Sequence, residues 1–217
     1  MIRNPIHNPD ILDYIETLIP EKNGYIKEME IYAEENGVPI IQKDGAQFLE
    51  VITRIKRPLK ILEIGTAIGY SGALMLMNAG DESILHTIEL DEDMKNQADI
   101  NFEKLGLSDR VHVYLGDGRE VVSQINETFD LIFIDAAKGH YQTFFELYYN
   151  KLNSKGMIIS DNVLFYGMVA HRKYLLRRKK TIAKRMKEYL AFLKERDDLD
   201  TSVLTVGDGM AISIRKD

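Results

Sequence analysis

The sequence has no cysteine, no tryptophan, five prolines and five histidines. Without cysteine there is no disulfide framework, no thiol nucleophile and no thiolate metal ligand, and so few histidines argue against zinc. A metal in this chain would therefore be oxygen-bound. Long apolar runs are missing too. The longest stretch without an Asp, Glu, Lys, Arg or His runs from Ile64 to Gly80, and it carries four glycines together with Thr66, Tyr70, Ser71 and Asn78. That is not a membrane span. The first ten residues, MIRNPIHNPD, lack the apolar core of a secretory signal, so the expected location is the cytoplasm. With 29% charged and 45% hydrophobic residues and no Pro, Gly or Ser tract, the 217 residues fit one α/β domain. Disorder, collagen and coiled coil are excluded.

Charge is unevenly placed. The whole chain sums to −6, yet the window Arg172 to Lys187 holds nine Lys/Arg and no acid, leaving −15 for the rest. A basic island on an acidic protein suits a polyanionic partner, although a solvated helix face has the same composition.

Periodicity divides the chain in two. Residues 1–57 read as a helical cap, since Ile11, Leu12, Ile15 and Leu18, then Ile26, Met29, Tyr32 and Ala33, recur at helical spacing. Pro9 and Gly37-Val38-Pro39 punctuate them, and a third helix over Asp44 to Lys56 stops before Pro58. Over 58–217 the short runs KILEI, ILHTIE, VHVYL, FDLIFID and GMIISD alternate with helical segments, the pattern of a buried parallel sheet. TSVLTV and MAISI, joined by Gly-Asp-Gly, predict an antiparallel hairpin at one end, for seven strands in all. With no linker or repeat, residues 1–217 are expected to form a single domain.

Three strand ends carry the candidate ligand site. Glu63-Ile64-Gly65-Thr66-Ala67-Ile68-Gly69-Tyr70-Ser71 follows the first strand and opens a helix, so ligand can approach bare backbone at the glycines. The spacing G-x-x-x-G misses the dinucleotide fingerprint, and no Lys-Ser/Thr follows, so a Walker-type phosphate loop is also absent. A plain strand-to-helix turn remains the simpler reading of this motif alone. Glu89 ends the second strand, where a carboxylate can accept both ribose hydroxyls; Gly116-Asp117-Gly118 ends the third, where an Asp can accept from an adenine amino group.

Asp135 ends FDLIFID and Asp161-Asn162 ends GMIISD. If those strands are neighbours, two carboxylates and an amide converge, a donor set that suits Mg²⁺ before Ca²⁺ or Mn²⁺. The alternative is that both aspartates only cap helices. His86 and His112 fall inside strand runs and are expected to be packed. His140 stays possible at the site. Met75, Met77 and Met168 are expected in core or pocket walls.

Taken together, E-I-G-T-A-I-G-Y-S, Glu89, G-D-G, F-I-D-A-A-K-G and S-D-N resemble the class I S-adenosylmethionine-dependent methyltransferases. More narrowly, nearly the whole chain resembles the magnesium-dependent catechol and caffeoyl-CoA O-methyltransferases. Within that family, V-P-I, D-A-A-K-G-x-Y-Q, D-N-V-L-F and the Lys/Arg-rich helix resemble bacterial tRNA 5-hydroxyuridine methyltransferases. The resemblance implies a Rossmann-like seven-stranded fold with N-terminal helices. It implies S-adenosylmethionine held by Ile41, Glu63, Gly65, Ser71, Glu89, Asp117, Gly118 and Asp135, and Mg²⁺ on Asp135, Asp161 and Asn162. It puts the general base at Lys138 of D-x-x-K, where a nearby divalent cation and sulfonium would depress the ammonium pKa. A homodimer is implied as well.

The implied substrate is the 5-hydroxyl of 5-hydroxyuridine at the tRNA wobble position, giving 5-methoxyuridine. O5 and O4 of that base are vicinal and mimic a catechol edge, and an anticodon-loop base is unpaired and can be splayed into a pocket. Leu175, Ile182, Met186, Tyr189 and Leu193 share one helical face, leaving Arg172, Arg177, Arg178, Lys180, Lys184 and Lys187 outward for phosphates. Phe165, Tyr166, Arg172 and the N-terminal helices are candidates to grip the base. Competing readings are a methyltransferase for small catechol-like molecules and a non-catalytic RNA-binding module; the missing third glycine argues against an NAD-dependent oxidoreductase.

Overall fold

A computed structural model describes residues 9–136, 139–170 and 176–217. Three helices come first, α1 (Pro9–Thr17), α2 (Gly24–Asn36) and α3 (Lys43–Lys56). Then β1 (Lys60–Ile64), α4 (Tyr70–Ala79), β2 (Ile84–Glu89), α5 (Glu92–Lys104), β3 (Val111–Leu115), the short α6 (Gly118–Val121) and β4 (Phe129–Ile134) alternate. The chain continues through α7 (Tyr141–Tyr149), β5 (Leu152–Ser160), α8 (Lys180–Lys194), β6 (Leu199–Leu204) and β7 (Met210–Arg215).

The seven strands form one sheet in the order β3-β2-β1-β4-β5-β7-β6. β1 to β5 run parallel, and β7 lies antiparallel between β5 and β6. The expected terminal hairpin is present, with 205–209 as its connection.

The central strands read as continuous apolar runs because both of their faces are covered. Period-2 alternation sends Ile61, Leu131, Phe133 and Ile159 into a core shared with α2, α3, α4 and α5. Their neighbours Leu62, Ile64, Ile132, Ile134 and Ile158 enter a second core under α7 and α8. Each fully buried Leu or Ile contributes roughly 1.5–3 kcal/mol. α4 crosses the first core and buries Tyr70 to Leu76 without interruption, which accounts for the uncharged stretch. Ile26, Met29, Ala46 and Leu49 share that core, so α2 and α3 pack onto the sheet rather than standing apart.

Two expectations fail at the edge and surface. His86 is buried, but His112 on the edge strand β3 is exposed, its ring centroid 4.8 Å from that of His86. β3 has an uncovered face, so alternate side chains meet solvent. Met77, near the end of α4, is exposed as well, while Met75 and Met168 are buried.

Candidate active site

Strand order reverses between β1 and β4: the chain lays β2 and β3 on one side of β1, then returns to place β4 on the other. A crevice opens at such a switch point beyond the carboxyl ends of the strands. Here it is a cavity of about 620 Å³ lined from both halves of the sheet, within the size range of small-molecule sites.

Backbone ladders fix its rim. Gly65 N donates to Ile88 O at 3.0 Å, Asp135 N to Ile64 O at 3.0 Å, Asp161 N to Ile134 O at 3.0 Å and Gly116 N to Glu89 O at 2.7 Å. Residues just past β3, β1, β4 and β5 are thereby aligned. At Gly65 the backbone has φ +104°, and a Cβ there would lie 2.3 Å from Asp135 O. Only glycine lets these two strand ends meet so closely.

Glu89 organises the glycine turn. Its Oε2 accepts from Ala67 N at 2.7 Å, and its Oε1 accepts from Leu90 N at 2.8 Å and Asp91 N at 2.9 Å. The carboxylate lines the cavity already oriented, and its remaining lone pairs can accept vicinal hydroxyls. Asp117 caps α6, accepting from Arg119 N at 2.9 Å, and pairs with the Arg119 guanidinium, which draws its pKa down to about 2.

Ile41, Gly65, Ser71, Glu89, Asp117, Gly118 and Asp135 all line the cavity, as expected for ligand contacts. Glu63 does not. Its carboxyl is fully buried beneath the glycine turn, accepting from Ser71 Oγ and Thr87 Oγ1 at 2.6 Å each, and Thr87 Oγ1 lies 2.5 Å from Thr66 Oγ1. Glu63 therefore supports the wall from behind and touches no ligand space. Burial pushes its pKa up to about 7, with Asp135 and Glu89 adding to the rise against the two hydroxyl donors.

β4 and β5 are parallel neighbours with Ile134 opposite Ser160, so Asp135 and Asp161 stand side by side one residue further on. Asn162 joins them: its backbone N donates to Asp161 Oδ1 at 2.6 Å and its Nδ2 to Asp135 Oδ1 at 3.1 Å. A half-turn of the amide exchanges nitrogen for oxygen, completing a set of hard oxygen donors that fits Mg²⁺. Among the described residues no group of three His, Cys, Asp or Glu is assembled for a metal, so a cation here would rest on two carboxylates and this amide. The Tyr141 hydroxyl is buried with no hydrogen-bond partner among the described residues, and burial, then the charges of Asp135 and Asp161, keep it un-ionised. A cation would offset that negative field.

Among the described lining residues five are acids, Glu89, Asp117, Asp135, Asp161 and Asp208, against Arg119 as the one permanent cation. This balance favours positively charged ligands. Asp208 was not anticipated, although Gly207-Asp208-Gly209 repeats the tripeptide at 116–118. Its position in a tight hairpin explained the glycines without a ligand. Phe144 is a second unanticipated wall residue, and His140 also lines the cavity. Of the base-gripping candidates, Tyr166 lines the cavity and is exposed, whereas Phe165 is buried and lines nothing.

Lys138, Arg172 and Leu175 lie outside the described residues. Arg177 and Arg178, on a 3₁₀ turn over Arg177–Lys179, and Lys180 and Lys184 on α8 are exposed and lie outside the cavity lining. Lys184 makes an ion pair with Glu188 at 3.5 Å; Arg177, Arg178 and Lys180 have no ion-pair partner among the described residues. Met186, Tyr189 and Leu193 are buried and Ile182 half-buried, the apolar face the periodicity gives. Lys179 Nζ lies 5.5 Å from the Phe165 ring centroid, tying this segment to the loop after Asn162.

The sequence profile of the O-methyltransferase family matches residues 20–216. A catechol O-methyltransferase from Niastella koreensis is 28% identical over 96% of this chain and 100% of its own length. A Staphylococcus aureus protein provisionally assigned as a caffeoyl-CoA O-methyltransferase superposes with a TM-score of 0.87 at 32% identity, covering 94% of this chain and 98% of that one. An O-methyltransferase from Bacillus cereus, solved in complex with SAH (S-adenosylhomocysteine), gives 0.83 at 25% identity over 94% and 96% of the two chains. With its seven-stranded sheet, its crevice at the strand reversal and this near-complete match, the chain belongs to the O-methyltransferase family.

Proposed function

We propose that the protein transfers the methyl group of S-adenosylmethionine to the 5-hydroxyl of 5-hydroxyuridine at the tRNA wobble position, giving 5-methoxyuridine, with Mg²⁺ in the site. The observation that carries the chemistry is the meeting, in one acid-rich cavity, of the glycine turn with Glu89 and Asp117 on one side and Asp135, Asp161 and Asn162 on the other. A sulfonium donor and a divalent cation both match that charge. The Bacillus cereus relative, solved with SAH, supports the donor assignment.

In this reading Glu89 takes the ribose hydroxyls, Asp117 the adenine amino group, and Ile41 closes the methionine end. Asp135, Asp161 and the Asn162 amide oxygen hold Mg²⁺. When bound, the metal supplies Lewis-acid polarisation of two vicinal acceptor oxygens and lowers the pKa of the hydroxyl. Lys138, three residues past Asp135 in sequence, accepts the acceptor's proton. The rigid rim of strand ends gives alignment, and alignment with electrostatics gives most of the rate.

The RNA assignment rests on Arg177, Arg178 and Lys180, exposed and without acidic partners among the described residues, on a segment packed against the loop that follows the metal residues. We place the reaction in the cytoplasm, in keeping with the fact that no described helix is long and apolar enough to cross a membrane. We also propose a homodimer through the apolar face of α3 and α4, where Val51, Ile55 and Met77 are exposed. A second reading, methylation of a small catechol, is favoured by the likeness to the Niastella koreensis catechol O-methyltransferase.

Mass spectrometry of tRNA nucleosides from cells with and without the gene separates the two readings. Loss of 5-methoxyuridine with accumulation of 5-hydroxyuridine is expected. Unchanged tRNA nucleosides, with activity on free catechols, would transfer the assignment to the second reading.

A further inference from the structure

Asp117, proposed to accept from the adenine amino group, already has a partner for every acceptor site. A carboxylate offers about four lone-pair directions on its two oxygens. Asp117 Oδ1 accepts from Arg119 N and from Arg119 Nε, both at 2.9 Å. Its Oδ2 accepts from the same Nε at 3.1 Å and from Arg119 Nη2 at 2.5 Å. One residue, two positions further along the chain, therefore engages both oxygens from both sides. Both side chains line the cavity.

The two partners differ in freedom. Asp117 is set by its backbone: Gly116 N donates to Glu89 O at 2.7 Å, and Asp117 O accepts from Glu120 N at 2.8 Å and Val121 N at 2.9 Å. Gly118 is fixed in turn, since its O accepts from the buried Tyr148 hydroxyl at 2.6 Å and a Cβ on it would lie 3.1 Å from Phe144 Cε1. The Arg119 guanidinium ends a long side chain that is 49% exposed, against 23% for Asp117. Among the described residues it hydrogen-bonds to Asp117 alone. It can swing into solvent without moving a packed group, whereas the carboxylate cannot follow it. Protonation does not open the pair near neutral pH, because Arg119 holds the Asp117 pKa down at about 2. A competing donor or added salt does.

We propose that Arg119 is an intramolecular competitor for the adenine end of the cofactor: its guanidinium occupies the carboxylate that the 6-amino group needs, and S-adenosylmethionine binds fully only when the ion pair opens. The inference rests on the proposed placement of adenine at Asp117 and adds to it a residue that sets cofactor affinity. Apparent affinity falls by the fraction of molecules in which the pair is open. A half-exposed pair is weak and screened by salt, so the effect is a tuning of affinity rather than a block.

The test is calorimetric titration of the full chain, wild type and Arg119→Met, with S-adenosylhomocysteine and with its analogue carrying hydrogen in place of the 6-amino group. Methionine keeps an apolar stem and removes the guanidinium, and S-adenosylhomocysteine carries no net charge, so salt acts on the ion pair and not on the ligand. Arg119→Met should bind S-adenosylhomocysteine roughly two- to six-fold more tightly than wild type. Raising salt from about 50 to 500 mM should tighten binding to wild type towards the variant's value and leave the variant unchanged. The analogue, which asks nothing of Asp117, should bind both proteins equally. Unchanged or weaker binding of S-adenosylhomocysteine by Arg119→Met would overturn the competition, and so would an equal gain for both ligands, since Arg119 would then only fill space. A wild-type protein that binds S-adenosylhomocysteine no better than the analogue would instead overturn the placement of the adenine amino group at Asp117.

Discussion

The Glu63 carboxyl sits in a fully buried pocket, accepts two hydroxyl hydrogen bonds and has its pKa pushed from 4.5 to about 7, chiefly by burial. In the unfolded chain the group loses its proton near 4.5; in the folded protein it keeps it to about 7. Between those values the folded state binds more protons, so this group makes stability fall as pH rises, by about 3 kcal/mol in full above the window. His86 acts in the opposite sense. Burial, then His112, draws its pKa from 6.5 to about 4, so its contribution is lost as pH falls through that range. The difference between wild type and Glu63→Gln isolates the first effect. Thermal unfolding at pH 5 and pH 8 should show Glu63→Gln gaining stability relative to wild type at the higher pH. An equal change in both proteins between the two pH values would show that Glu63 does not titrate there.

At the scale of elements, the basic 3₁₀ turn and α8 divide their labour by face. Met186, Tyr189 and Leu193 hold the helix on the sheet, and the cations stand outward. Reversing Arg177, Arg178 and Lys180 to glutamate together should leave folding intact, because none of the three is buried. If the protein acts on tRNA as proposed, its methylation should fall at least about ten-fold and lose much of its salt dependence, since three proposed phosphate contacts would become repulsions. Turnover of free catechol should be unchanged. Equal activity on tRNA in the triple variant would sink the RNA assignment. These faces were legible from periodicity because helix packing is local. So were β1, β4 and β5, whose burial on both sides writes itself as apolar runs. The edge strand β3 was less so: a histidine in a strand run carries no mark of which face is covered, and His112 is exposed.

At the scale of the whole molecule, what the sequence could not reveal is what depends on remote contacts. Glu63 belongs to the Glu63–Ser71 motif, yet its direction is set by Ser71 and by Thr87 across the β1–β2 pair, which turns an expected ligand contact into a buried support. Asp208 reaches the cavity only because the last two strands return beside β5 and place their turn against residues 163–166. Assembly depends on contacts more remote still. Val51 and Ile55 lie one turn apart on α3 at 48% and 72% exposure, and Met77 is 53% exposed on α4, the helix that α3 meets where Arg54 Nη2 donates to Asn78 Oδ1 at 2.5 Å. In the proposed homodimer a twofold axis across this face would set the same apolar row against itself, which is how an isologous interface closes. Ile55→Glu places two like charges at that axis without disturbing a packed side chain. Sedimentation should give a dimer for wild type and a monomer for Ile55→Glu, with the melting temperature of the variant becoming independent of concentration. A wild-type protein sedimenting as a monomer would remove the dimer and leave those exposed side chains as isolated surface residues.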